Sequence, residues 1–159
     1  EIFDHHFVEF TYASGAVIAS QCRHIPGTMS RVDEVFQGTQ GSVEIGKGII
    51  NDLNGDSTYK YPNKWGEDPN PYQVEHDRLF ASIRNGGVIA DAENGAKSTL
   101  TAILGRMATY TGKKITFDEA LNSKLHLMPE EVTWNTTPPS LPDENGNYSI
   151  PTPGKTKFV

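Results

Sequence analysis

The sequence predicts an α+β domain: an open-faced, mainly antiparallel sheet with helices packed on one face, followed by an extended, proline-rich tail. Three observations support this. Strand-like stretches crowd the first 61 residues. Two helical stretches with legible starts and stops follow them, rather than alternating with strands as a βαβ fold would require. Beyond about Lys124 the periodicity fades, and Pro129, Pro138, Pro139, Pro142, Pro151 and Pro153 exclude long regular elements. The expected organisation is a domain over residues 1–123 and a tail over 124–159, which packs on the domain or on a partner subunit.

Residues 3–12 and 16–25 read as a hairpin around Ala13-Ser14-Gly15, with Ser14-Gly15 as a two-residue turn. In that register His5 faces His24, His6 faces Arg23 and Phe7 faces Cys22. Alternation places Asp4, His6, Val8, Phe10 and Tyr12 on one face, and Phe3, His5, Phe7, Glu9 and Thr11 on the other. Both faces are half apolar. One is therefore expected to pack on helices and the other to meet a partner. Val32–Thr39 and Ser42–Ile50 read as further strands joined at Gln40-Gly41, and Ser57–Tyr61 as a weaker one.

Residues 62–71 carry loop signals, and Asn70-Pro71 opens a helix with Asn as cap and Pro in the first turn. Tyr72, His76, Leu79, Phe80 and Ile83 form its apolar stripe, and Gly86-Gly87 ends it. A second helix runs from about Ala92 to Thr111, with Leu100, Ile103, Leu104, Met107 and Ala108 as its apolar face. Gly112 is its stop. Gly105 permits close packing, and Arg106 beside it is placed to meet a carboxylate. Thr116-Phe-Asp-Glu119 is a capping box for a short third helix.

With 159 residues the chain suits one domain, and its net charge of −6 argues against nucleic acid or an anionic membrane as partner. No apolar run approaches membrane-spanning length. Cys22 is the only cysteine, so there is no intrachain disulfide and no cysteine-based metal cluster. No signal peptide is evident. The start at Glu-Ile-Phe, without Met, reads as a position inside a longer polypeptide.

Gly41-Ser-Val-Glu-Ile-Gly46-Lys47 matches the front of a phosphate-binding loop. Gly48 stands where the hydroxyl residue is required, so a strand and turn is the expected reading. Asp52-Leu-Asn54-Gly-Asp56 opens like a calcium loop. Ser57 and Asn63 occupy positions that need Gly and Glu, so a polar turn is expected. No Gly-x-Gly-x-x-Gly fingerprint follows a strand, so no dinucleotide site is expected in this chain. No spacing singles out a Ser/His/Asp triad. His76 reads as a core or interface histidine.

Asp4, His5, His6, Arg23, His24 and Arg31 are the candidate substrate-side groups, gathered at the end of the first hairpin away from its turn. His and Arg at a strand end suit hydrogen bonding to a sugar or carboxylate. A metal held by His5 and His24 with Cys22 nearby lacks a secured third ligand.

Four blocks, in order, resemble the second domain of Gfo/Idh/MocA-type oxidoreductases. They are Phe3-Asp-His-His-Phe-Val-Glu-Phe-Thr-Tyr-Ala-Ser-Gly-Ala, Val35-Phe-Gln-Gly-Thr-Gln-Gly-Ser-Val-Glu, the Asn70-to-Gly86 helix and the Thr101–Leu121 stretch. The final Pro-Asp-Glu-Asn-Gly-Asn-Tyr resembles the tail of the Bacteroidetes-like branch. The resemblance spans about Ile2 to Ser123. It implies the substrate-pocket and oligomerisation half of an NAD(P)-dependent sugar or polyol oxidoreductase, with its Rossmann domain upstream. It also implies a homo-oligomer formed through the free sheet face, in a bacterial periplasm or cytoplasm. The family's Glu-Lys-Pro and Asp-x3-His motifs are absent, so no catalytic residue carries over and the chain alone is expected to be inactive. NAD(P) is implied for the parent enzyme only. Two alternatives stand beside this reading. One is a non-catalytic carbohydrate-binding or assembly module using exposed aromatics such as Trp65 or Trp134. The other is a domain of an NAD-dependent glycosidase, since relatives use the same fold for glycoside cleavage.

Overall fold

The structure, a computed structural model, describes residues 3–63 and 66–157. Trp65 lies outside them. The chain forms two compact units, one from residues 1–26 with 91–159 and the other from residues 27–90. The α+β class and the antiparallel pairing hold in both. The strands do not join into one sheet, however, but divide into a two-stranded and a four-stranded sheet.

In the first unit, β1 (His5–Thr11) pairs antiparallel with β2 (Val17–Arg23). The register differs by one residue from the sequence expectation: His5 lies opposite Arg23, His6 opposite Cys22 and Phe7 opposite Gln21. The turn is the cause. Tyr12 and Ala16 close the ladder, the Tyr12 N–H donating to the Ala16 carbonyl at 2.9 Å, so the loop has three residues. Gly15 ends it at φ +87°, the left-handed conformation such loops need. Alternation along β1 follows the expected faces. His6, Val8 and Phe10 are half-buried, while Phe7, Glu9 and Thr11 are exposed.

Helix α2 (Ala92–Thr111) covers the half-buried face. Its glycine stop is as expected: Gly112 adopts φ 68° and donates its N–H to the Ala108 carbonyl. The interior comprises Leu104, Met107 and Ala120, with Phe10, Leu100, Ile115 and Phe117 against it. The buried face of α2 is turned relative to the apolar stripe. Gly105 and Thr111 are buried, whereas Ile103 is 43% exposed. The reason is Gly105 itself. An added Cβ would lie 2.9 Å from Phe10 Cζ and 3.6 Å from Val8 Cγ2, so the missing side chain is the seat of β1. Thr111 satisfies its buried hydroxyl by donating to the Met107 carbonyl at 2.8 Å.

Helix α3 (Phe117–Leu121) starts with the complete capping box. The Thr116 hydroxyl oxygen accepts from the Glu119 N–H at 3.2 Å, and Glu119 Oε2 accepts from the Thr116 N–H at 2.7 Å. Residues 122–157 hold turns without a helix or strand among the described residues. Near their end the Gly154 N–H donates to the Thr111 carbonyl at 2.7 Å.

The second unit holds a meander of β3 (Val35–Gly38), β4 (Gly41–Glu44), β5 (Ile49–Asn51) and β6 (Ser57–Lys60), each antiparallel to the next. The expected strand over residues 42–50 is two strands broken by a tight turn at Ile45–Gly48, where the Gly48 N–H donates to the Ile45 carbonyl. The resemblance to a phosphate loop ends there: Lys47 Nζ is drawn 2.6 Å from Glu44 Oε2, on the strand just before the turn. Gly41 is required between β3 and β5, since a Cβ there would meet the Asn51 carbonyl oxygen at 2.1 Å. The calcium-like stretch is a polar turn. Asp52 Oδ1 accepts the N–H groups of Asn54 at 2.8 Å and Asp56 at 2.9 Å. Asp143 builds the same turn in the tail, accepting from the N–H groups of Asn145 and Asn147.

Helix α1 (Pro71–Arg84) begins as expected, with Asn70 Oδ1 accepting the Tyr72 N–H at 3.0 Å. It buries no residue and packs on none of the four strands of its unit. Its apolar stripe is therefore open: Tyr72, Leu79, Phe80 and Ile83 are all exposed. His76 donates from Nδ1 to the Tyr72 carbonyl at 2.7 Å, because only the ring nitrogen can supply the proton.

Candidate functional site

The β1–β2 hairpin brings five of the six candidate residues together at its open end. The His24 N–H donates to the Asp4 carbonyl at 2.8 Å and extends the ladder by one pair. Asp4 thus lies opposite His24, His5 opposite Arg23 and His6 opposite Cys22. Residues opposite each other share a face, so Asp4, His6, Cys22 and His24 lie on one side and His5 with Arg23 on the other. This separates His5 from His24, the pair on which a metal depends. Among the described residues no three His, Cys, Asp or Glu side chains gather as a metal site. Arg31, the sixth candidate, belongs to the other unit, where it lies 3.4 Å from Asp33.

Asp4 Oδ1 and His5 Nδ1 are 2.8 Å apart. The bond to His5 holds the Asp4 carboxyl below its ordinary range, with the charges of His5 and His24 adding to the effect. Both side chains are well exposed, so solvent screens the pair.

Aromatic rings frame these polar groups. The Phe3 ring stacks on His5 at 4.9 Å and meets His6 edge-on at 5.1 Å. Tyr110, from the last turns of α2, meets Phe3 edge-on at 5.5 Å and lies nearly parallel to His6 at 6.0 Å, tilted by 23°. Arg106 places its guanidinium carbon 4.9 Å from the Tyr110 ring centre, on the same helix one turn earlier. The sequence suggests a carboxylate partner for Arg106 and does not single out Phe3 or Tyr110. Their signal is present in outline: Arg106 and Tyr110 are four residues apart, so they share one helix face. The meeting of that face with residue 3 spans the chain and has no local signature.

The assembly offers ring faces, three imidazoles, a carboxylate and guanidinium groups at one strand end. Such a set can stack on the C–H face of a sugar ring and hydrogen bond to its hydroxyls. It contains no nucleophile with a base poised against it. A groove of 980 Å³ lies elsewhere in the unit, along Phe7–Ala13, the facing side of α2 and residues 112–117. It is mainly apolar and carries none of the imidazoles, so the cluster and not the groove is the candidate site.

No protein-family model, curated protein or solved structure matches this chain.

Proposed function

We propose that this chain is the substrate-pocket and oligomerisation domain of an NAD(P)-dependent sugar or polyol oxidoreductase of the Gfo/Idh/MocA type. Hydride transfer would belong to a dinucleotide-binding domain outside this chain. The observation that carries the reading is the Phe3–His6–Tyr110 ring cluster, with Arg106 on one side and the Asp4–His5 pair on the other. The rings hold one face of the substrate. Asp4, His6 and His24, on one face of the hairpin, bind its hydroxyls and orient the reacting carbon outward. Four sequence blocks in family order and an antiparallel α+β architecture support it. Strand β2, exposed along its whole length with Val17 at 54% and Ile18 at 45%, supplies an apolar surface for subunit contact.

Isothermal titration with NAD+, NADP+ and a panel of hexoses and polyols tests this. The expected result is millimolar binding of one polyol class and none of either cofactor. Tight cofactor binding would overturn it. Trp134, fully exposed, favours a second reading as a carbohydrate-binding module. In that case Trp134→Ala abolishes sugar binding and Tyr110→Ala leaves it intact.

A further inference from the structure

The groove along β1 is shaped for a polypeptide strand. The ladder bonds of Tyr12 to Ala16 and of His24 to Asp4 fix the even-numbered residues of β1 as those facing β2. In an antiparallel pair the intervening residues turn their N–H and C=O groups outward. Phe7, Glu9 and Thr11 therefore present three donors and three acceptors along the far edge, where no strand pairs with them among the described residues. Both faces of β1 line the groove, Val8 and Phe10 as well as Phe7 and Glu9, which places that edge at its rim. The opposite side is Lys97, Thr101, Leu104 and Ala108, one stripe of α2 at helical spacing. An open edge is a template for pairing, and a two-stranded hairpin is marginal on its own.

We infer that this edge accepts an acidic, extended segment of another polypeptide, which adds to the sheet as a third strand. Main-chain hydrogen bonds to Phe7, Glu9 and Thr11 supply the attachment, and alternate apolar side chains enter the groove against Leu104 and Ala108. Charge selects the occupant. Lys113 and Lys114 line the groove and neither is in an ion pair among the described residues. Lys97 lines it too, bridged to Glu93 at 2.6 Å, and Glu9 is the lone carboxylate of the lining. The edge strands of this chain do not match that field: β2 ends in Arg23, β6 ends in Lys60, β3 has no charge and β1 has a single Glu. A strand from a different polypeptide, acidic at the positions that face solvent, fits better than a second copy. This surface is separate from the ring cluster, and its failure would leave the proposed function standing.

The test uses the whole chain with the peptide acetyl-Val-Glu-Val-Glu-Val-amide and residue-resolved hydrogen exchange. The amides of Phe7, Glu9 and Thr11 exchange freely in the protein alone and slow by about tenfold or more with the peptide. A peptide N-methylated at alternate residues, which cannot donate, gives no protection. Glu9→Pro removes a groove-facing donor without touching a ladder bond and also abolishes the effect. Four results would overturn the inference. They are no protection at millimolar peptide, equal binding of the N-methylated peptide, equal binding of a neutral Val-Thr-Val-Thr-Val peptide, and protection that appears without peptide and rises with protein concentration. The last would make a second copy the occupant.

Discussion

Gly105 is the position where helix stability and tertiary packing oppose each other most directly. Replacing it with Ala in the interior of α2 stabilises the helix by about 1 kcal/mol, since glycine has more backbone freedom to lose. The same methyl group would stand 2.9 Å from Phe10 Cζ and 3.6 Å from Val8 Cγ2. Carbon atoms rest at about 3.5–4.0 Å, so the Phe10 ring tip must retreat by roughly 0.6 Å or more. That ring lies against the small interior of Leu104, Met107 and Ala120, where there is little else to hold β1 to the helix. Overpacking of this kind costs about 1–3 kcal/mol. The packing loss wins, and Gly105→Ala should destabilise the unit by up to about 2 kcal/mol net. Phe10→Leu shortens the offending side chain. In that background Gly105→Ala should turn neutral or stabilising, by up to about 1 kcal/mol. Native-state hydrogen exchange of the Met107 and Ala108 amides reads this unit without interference from the other. If Gly105→Ala slows their exchange in the wild-type background, or if Phe10→Leu does not change its effect, the reasoning is wrong.

Gly41→Ala places a Cβ 2.1 Å from the Asn51 carbonyl oxygen at φ +152°. It should cost about 1–3 kcal/mol through backbone strain alone and strip exchange protection from β4 and β5. Met107→Ala, at a side chain 2% exposed, should cost about 2–5 kcal/mol by thermal unfolding followed through helix signal. Glu119 is held below the ordinary carboxylate range by the Thr116 N–H and then by its hydroxyl. Its contribution to stability is complete above the unfolded-state pKa and is lost as pH falls through the lowered folded value. Protection of α3 should therefore fade in acid, and Thr116→Val should raise the Glu119 titration midpoint by NMR. Asp68 is likewise lowered, by Asn63 first and then by the Tyr61 hydroxyl, which donates at 2.8 Å. Tyr61→Phe should raise its titration only part of the way, because Asn63 remains.

Signals confined to a few consecutive residues are legible in the sequence itself. Asn70-Pro71, Gly112 and the Thr116/Glu119 box set helix ends through bonds between near neighbours, and each forms as written. Strand boundaries are less legible. The run from Ser42 to Ile50 is apolar enough for one strand, but Ile45–Gly48 closes a turn whose success depends on Asp33, 13 residues back, which accepts the Gly46 N–H. The hairpin register turns on whether Gly15 closes a two- or a three-residue loop, and the letters permit both. The buried face of α2 is legible in part: Leu104 and Met107 are buried as the apolar face predicts and Gly105 is closely packed, but Ile103 is exposed. In the candidate site, the hairpin end is visible as a cluster of His, Asp and Arg. Tyr110 and Arg106 are not, since residues about 100 positions apart meet only through the packing of β1 on α2. The stripe of α1 is legible as apolar, and the sequence carries no sign that its own unit leaves it uncovered.

The ring cluster at the open end of the β1–β2 hairpin stands or falls as the wall of a polyol site. Amide chemical-shift mapping with myo-inositol and glucose, in the wild-type chain and in Tyr110→Ala, tests it most directly. The expected result is saturable shifts at residues 3–6, 22–24 and 106–110, at millimolar ligand, that disappear in Tyr110→Ala while the fold is retained. Shifts that centre on Trp134, or that persist unchanged without the Tyr110 ring, would contradict it.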